Sequence, residues 1–514
     1  MSWDFGKPLS TLAGHNMMNT LERHPRIAIA LLLAALVALQ ISTIGYQSYF
    51  MDEVEELHFA QGDFWQSVFM TDSMPPLFTL SLRSWLAVFS DHIDARWLSA
   101  SFGLIATFAI YLFVWRLANS TIGFVSASLF AFSPLQLYYA QLIRGYALMT
   151  CLSVFCIGFF LLAMKSSKPR HFAAFTIFAV VGMYAHYYFA MIPIALSVAW
   201  LCERKWCQMA KIAIAYGSIF VLTCPVLVFL ADDFKHQHGL RDPRPMSLVA
   251  VVYTYFSYFS GYALGPSPRE LQYIGSTAAI RSAVPWFLAV AAIAMPLGLR
   301  GATALRRVGI LTPVMAVLTV PLILIGVAGF LTGITYNVRF VAWFAFPLSV
   351  LFGFAFLNEN GRRLPKWLIA CGVFLFAIFA IANGNRIFDP RYQFEDVRGV
   401  AEYLIENQTS GEPVYVVSDY MLQPLAHYCA NYQDQLFELP QPGTRTKVVD
   451  DSQSFAEAMR VVDANSQRKR SWLVYSRPFH GDPQGMILEE FTKRGASLSC
   501  QFAGIDLYVV PAQR

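Results

Sequence analysis

Four carboxylates and an imidazole crowd one short stretch of this chain: Asp52, Glu53, Glu55, Glu56 and His58. They follow directly on residues 27–44, an uncharged apolar run close to the roughly 20 residues that cross a bilayer. Carboxylates so near hydrocarbon are costly unless they sit at the water boundary, and groups kept there at that cost point to function. A carboxylate at such a boundary can take a proton from an attacking hydroxyl. The same residues would also suit an acidic, solvated loop, and Glu55 and Glu56 read that way. What favours chemistry at Asp52 is the segment that follows, Met74-Pro75-Pro76-Leu77, leading into a short amphipathic stretch.

Further along, three polar groups interrupt aromatic, apolar surroundings. Arg144 lies in Tyr138-Tyr139-Ala140-Gln141-Leu142-Ile143-Arg144-Gly145-Tyr146, His186 in Tyr184-Ala185-His186-Tyr187-Tyr188, and Arg339 in Tyr336-Asn337-Val338-Arg339-Phe340. Arginine offers phosphate oxygens a planar fork of donors. One acidic group with two arginines at a membrane boundary therefore suits a substrate with a phosphate at headgroup level and a lipid tail in the bilayer. Each residue has a plainer reading too. The arginines would also serve as anchors near helix ends, and His186 as a hydrogen-bonded core histidine.

These groups need elements to hold them, and composition says which kind. Of 514 residues, 56% are hydrophobic and 14% charged, with mean hydropathy +0.46. Soluble domains carry roughly 25% charged residues, so this is an integral membrane protein. Its 43 Phe, 24 Tyr and 11 Trp suit lipid-facing surface and interfacial belts. The net charge of +5 calls for no nucleic-acid partner, because Lys and Arg gather at helix ends. The first run is too long for a cleavable signal and is expected to stay as an anchor.

Lysine and arginine in short loops set the orientation. Lys7, Arg23 and Arg26 place the N-terminus in the cytoplasm. The clusters Lys165/Lys168/Arg170, Arg204/Lys205/Lys211, Arg300/Arg306/Arg307 and Arg362/Arg363/Lys366 join it there if spans lie near 97–117, 122–140, 146–164, a hairpin from 172 to 200 that turns about His186, 212–231, 283–299, 308–331, 341–357 and 367–382. That predicts about eleven spans, with the C-terminus outside. Residues 75–90, with Arg83, Trp85 and Phe89, read as a helix lying in the outer interface.

After Asn383 the charge density rises. Residues 414–417, 471–475 and 507–510 read as buried strands, and 397–407 and 454–464 as helices. The expectation is a polytopic α-helical domain over 1–385 with an outer loop at 46–96, then a soluble α/β domain over 386–514. Of eight cysteines, Cys429 and Cys500 fall in that last domain, where an exported location would let them pair.

The order Asp52-Glu53, His58, Pro75-Pro76-Leu77, then Arg96 with Ser99-Ala100, resembles the GT-C-fold glycosyltransferases of the protein O-mannosyltransferase and lipid A aminoarabinose transferase type. Gln141 to Tyr146, a Gln-x-x-Arg-x-Tyr segment, and Tyr184 to Tyr187, a Tyr-x-His-Tyr segment, resemble bacterial members of that group. The resemblance spans residues 27–144 and continues more loosely to Arg339. It implies a multi-pass protein of the bacterial inner membrane with a periplasmic C-terminal domain, moving a sugar from a polyprenyl-phosphate donor to a hydroxyl acceptor, with inversion. On that pattern Asp52 is the base, Glu53 supports it, and His58 lines the pocket. Arg144 and Arg339 hold the lipid phosphate, with Tyr146 and His186 beside them. Leu142 departs from the pattern, since relatives often carry Glu there. Asp232 or Asp233 could replace it. No cofactor is expected, and a divalent metal is left open. A transporter or flippase would also place charges among many spans, but would usually show two related halves, which this sequence lacks. A scaffold would not need these charges to converge.

Overall fold

Long uncharged apolar runs have one way to satisfy their backbone in hydrocarbon, the α-helix. The computed structural model of the chain describes residues 24–69, 74–89, 93–230, 246–273, 276–332, 336–358, 364–439, 448–466 and 469–512. Every expected span is met by a helix. In chain order the helices are α1 (Pro25–Thr43), then two of the segment between the first two spans, α2 (Met51–Gln61) and α3 (Leu77–Phe89), then α4 (Arg96–Leu117), α5 (Ser120–Phe132), α6 (Pro134–Ala140), α7 (Tyr146–Ser166), α8 (Pro169–Ala185), α9 (Met191–Glu203) and α10 (Met209–Thr223). The series continues with α11 (Leu248–Ser260), α12 (Ser276–Val308), α13 (Leu311–Thr332), α14 (Ala345–Phe354) and α15 (Lys366–Phe388).

Among the described residues seven helices are long and apolar enough to cross a membrane, or eight if the bent pair α5–α6 counts as one span. The sequence reading counted about eleven, and the difference has a local reason. Ser133 and Pro134 end α5 and start α6, with a bend of 61°. Pro134 has no N–H to continue the first helix, while the Ser133 hydroxyl accepts the Gln136 N–H at 3.2 Å to cap the second. The backbone breaks again at His186, between α8 and α9, and at Val341 before α14. Helix α11 has no counterpart in the sequence reading, because its 13 residues fall short of a span. Helix α7 is the most buried span, 83% of its apolar window being covered. It packs between α4 and α8.

Two compact units emerge: residues 1–44, 59–262 and 285–383 form one, and residues 45–58, 263–284 and 384–514 the other. In the first, several basic side chains close helix ends. Lys165 donates to the Leu117 carbonyl at 3.3 Å and Lys211 to the Ser167 carbonyl at 2.7 Å, while Arg83 donates to the Ala60 and Gly62 carbonyls at the C-terminal end of α2. Cations there satisfy carbonyls the helix leaves unpaired.

The second unit holds a five-stranded sheet, ordered β2-β1-β3-β5-β4. Its strands are β1 (Val414–Val417), β2 (Leu436–Leu439), β3 (Ser471–Ser476), β4 (Ser497–Phe502) and β5 (Ile505–Val510). Strands β2, β1 and β3 run parallel, and β5 and β4 are antiparallel additions. Every residue of β1 and β3 is buried, as parallel strands covered on both faces require. Helices α16 (Val397–Asn407) and α17 (Leu422–Tyr428) pack with Val414, Val416, Trp472 and Val474 on one face. Helices α18 (Ser452–Ser466) and α19 (Met486–Lys493) pack with Tyr415, Val417, Leu473 and Tyr475 on the other. Strand β2 was not expected, since it is short, whereas β4 takes in Ser499 and Cys500, read as entering a late strand.

Candidate active site

Asp52, Glu53 and His58 belong to the second unit. Phe50 precedes α2, and Glu53 reaches back so that its carboxylate accepts the Phe50 N–H at 3.0 Å, half of a capping box. Glu53 is therefore fully buried, whereas Asp52 beside it is half-buried and His58, near the other end of α2, is exposed. Glu56 corrects an expectation: read as solvated, it is buried, because α2 turns that side inward.

The loop before α2 is fastened to the C-terminal segment of the same unit. Arg398 donates to the Gly45 and Tyr46 carbonyls at 3.1 and 3.0 Å. The Ser48 hydroxyl donates to Asp396 at 2.9 Å and accepts the Arg398 N–H, and the Tyr49 N–H donates to the Tyr428 hydroxyl at 2.9 Å. Phe50 stacks on Phe394 with ring centroids 5.5 Å apart. Arg477 lies over Phe50 at 5.1 Å and grips buried Glu395 through two bonds of 2.8 and 3.0 Å. Its charge also acts on Asp52. None of these fastenings was visible in the sequence: the Arg477–Glu395 pair joins residues 82 positions apart and every other one joins residues more than 300 apart.

Arg144, Tyr146, His186 and Arg339 converge in the first unit. The turn between α6 and α7 carries Arg144 and is pinned by Gln141, whose amide donates to Gln40 and Thr43 of α1 at 2.9 and 2.6 Å. His186 stands at the break after α8. Gly182 makes that break possible: a Cβ there would lie 2.3 Å from the ring of fully buried Phe189, which folds back onto α8. Arg339 opens a tight 3₁₀ turn, Val338–Phe344, capped by Asn337, whose side-chain oxygen accepts the Arg339 N–H at 3.1 Å.

The rings of Tyr146 and His186 lie 5.9 Å apart, and Tyr139 is 5.1 Å from Tyr146. Both guanidinium groups, of Arg339 and Arg144, act electrostatically on His186. Arg339 lies over Phe340, which stacks on Tyr188 at 4.2 Å. His186 Nδ1 accepts the Tyr188 N–H at 3.2 Å, so a neutral ring carries its proton on Nε2. That Nε2 and the Tyr146 hydroxyl are buried with no hydrogen-bond partner among the described residues. Natural proteins rarely leave such groups unsatisfied, and those left are reason to look for a ligand. Two guanidinium groups, an imidazole N–H and a phenol O–H form a donor set suited to an anion. Sequence reasoning missed Tyr139 and Tyr262, whose hydroxyls bond at 2.7 Å at the edge of this cluster. The unrecognised helix α11 is what delivers Tyr262.

Among the described residues no group of three His, Cys, Asp or Glu side chains is placed to hold a metal ion. Asp232 and Asp233 lie outside the described residues. Whether Cys429 and Cys500 pair was left open by the sequence; in the structure they do not, and both thiols are free. Cys429 packs in the core on one face of the sheet, whereas Cys500 sits on edge strand β4.

Residues 73–229 match the family model described as dolichyl-phosphate-mannose-protein mannosyltransferase. No curated protein sequence matches the chain. Among solved structures it is similar to apo ArnT from Cupriavidus metallidurans, with a TM-score of 0.56 and 13% identity over 94% of this chain and 97% of that one. ArnT bound to undecaprenyl phosphate gives a TM-score of 0.54 and 12% identity over the same shares. The apo oligosaccharyltransferase of Archaeoglobus fulgidus gives 0.50 and 15%, covering 88% of this chain and 69% of that one. At these identities the likeness is one of fold.

Proposed function

We propose that this chain, which has the GT-C fold of the O-mannosyltransferase and ArnT type, moves a sugar from a polyprenyl-phosphate donor to a hydroxyl acceptor at the outer face of a bacterial inner membrane. The observation that carries the reading is the donor set of buried Arg144, Tyr146 and His186 with partly buried Arg339. Such a set would bind the lipid phosphate and stabilise the charge that grows on it as the glycosidic bond breaks. The resemblance to a protein solved with undecaprenyl phosphate supports the same class of donor.

In this reading Asp52 takes the proton of the acceptor hydroxyl. The acceptor oxygen attacks the anomeric carbon as the bond to phosphate oxygen breaks, inverting that carbon and releasing the polyprenyl phosphate. Glu53, by capping α2, fixes the first turn that presents Asp52, and His58 lines the approach. The N-terminus is cytoplasmic and the α/β domain periplasmic. The test is to incubate membranes containing the protein with a set of radiolabelled polyprenyl-phosphate sugars. Consumption of one label with release of the lipid phosphate is expected. Equal recovery of every donor with and without the protein would overturn the reading.

A further inference from the structure

The sheet of the second unit has a feature that the reaction above does not use. Strands β1 and β3 are parallel neighbours, yet the chain leaves them toward opposite faces, to α17 after β1 and to α19 after β3. Beyond the carboxyl ends of two parallel strands whose connections part in this way lies the usual ligand site of open α/β sheets.

The residues at that edge are unusual. Ser418, directly after β1, has φ +79°, and Arg477, directly after β3, has φ +44°. Two non-glycine residues in the left-handed region at adjacent strand ends are costly, and such strain gathers at binding sites. Ser418 is fully buried and its hydroxyl has no partner among the described residues. Gly481 keeps the edge tight, since a Cβ there would lie 2.7 Å from the Ser418 nitrogen. The rims are aromatic: the Tyr420 and His480 rings lie 4.7 Å apart, and Phe479 is 4.5 Å from His480. Arg477 spans Tyr420 and Phe50, at 5.5 and 5.1 Å. Tyr420, Arg477, Phe479 and His480 all keep some exposure, although the strand residues leading to them are buried.

Aromatic rims around a planar guanidinium–carboxylate pair suit one ligand class well. A sugar ring presents a face of C–H bonds that packs on an aromatic ring and a rim of hydroxyls that needs flat donors and acceptors. A free anion suits it less, because Glu395 already offsets the Arg477 charge. We propose that the edge at the ends of β1 and β3, where Tyr420, Arg477, Phe479 and His480 keep some exposure, binds a carbohydrate ring of the acceptor. Its role as an acceptor site rests on the function proposed above; the binding itself does not.

The test is saturation-transfer NMR on the full-length protein in lipid nanodiscs, with lactose and chitobiose as probes and a serine/threonine hexapeptide as the competing class. Transfer to the ring protons of at least one disaccharide is expected. Tyr420→Ala and His480→Ala should each weaken it about tenfold, the loss of one anchoring ring, whereas Tyr420→Phe should retain it. Leu498→Ala, on the exposed edge strand, should leave it unchanged. Asp52→Asn should spare disaccharide binding while blocking sugar transfer, so the two readings fail separately. Absence of disaccharide signal, a signal indifferent to Tyr420 and His480, or a signal from the hexapeptide alone would overturn the proposal.

Discussion

On the proposed reading single side chains carry the chemistry, and Asp52, Arg144 and Arg339 separate base from clamp. Asp52→Asn keeps shape and hydrogen bonding but removes the proton acceptor, so turnover should fall by about 10²-fold or more, with donor affinity unchanged. Comparison of initial rates with equilibrium donor binding checks both halves, and near-wild-type turnover would remove Asp52 from its role. At the phosphate cluster the change should fall on affinity. Arg144→Lys and Arg339→Lys keep charge but lose the planar fork, and each should weaken donor binding by about tenfold. Full affinity in both variants would leave the arginines as membrane anchors. The proposed binding role of His186 rests on its Nδ1 being bonded while its buried Nε2 has no partner among the described residues.

At the scale of elements, breaks in helices matter more than the helices. Gly182→Val should collide with the Phe189 ring and shift the break that presents His186. Donor affinity should then drop together with thermal stability, and retained affinity at wild-type stability would show that the break tolerates a side chain. In the α/β domain, buried Glu412 accepts hydrogen bonds from Arg470 at 2.9 Å and from the Trp472 indole at 2.9 Å, and one from the Thr409 hydroxyl. Burial alone would raise its pKa, but the bonds from Arg470, Thr409 and Trp472 outweigh it and hold the group below the usual carboxylate range. Its stabilisation is thus complete above the unfolded value and is lost as pH falls through the lower folded one. Glu412→Gln should cost about 1–3 kcal/mol near neutrality and flatten the acid limb of the melting temperature against pH. An unchanged limb would assign acid sensitivity to other carboxylates.

For the molecule as a whole, the free thiols offer a reading of both packing and sidedness. Cys500 is partly exposed and Cys429 is buried in the domain core. In a variant keeping only these two cysteines, a membrane-impermeant maleimide should label Cys500 without reductant and Cys429 only after unfolding. Labelling from the outer face of intact cells would support the periplasmic assignment. Labelling confined to broken cells would reverse the orientation drawn from the basic loops. The Asp52 loop belongs to the same compact unit as the α/β domain. Variants that loosen Arg398 from Gly45 and Tyr46 should therefore lower turnover more than donor affinity.

The membrane helices were legible in the sequence because a bilayer accepts few alternatives to an uninterrupted apolar helix. Buried strands β1 and β3 announced themselves as continuous apolar runs for a similar reason, both faces being covered. Asp52, Arg144, His186 and Arg339 stood out because charge inside such surroundings is costly. The sequence could not show the bend at Pro134, the short helix that delivers Tyr262, the burial of Glu56 or the thiols left unpaired. Nor could it show that Arg477 acts on Asp52 from 425 positions away, or that two strand ends meet at Ser418 and Arg477. Local pattern reports how costly it is to place one residue in water or lipid. Which distant residues share a site depends on how the elements pack, and that was decided only by the tertiary fold.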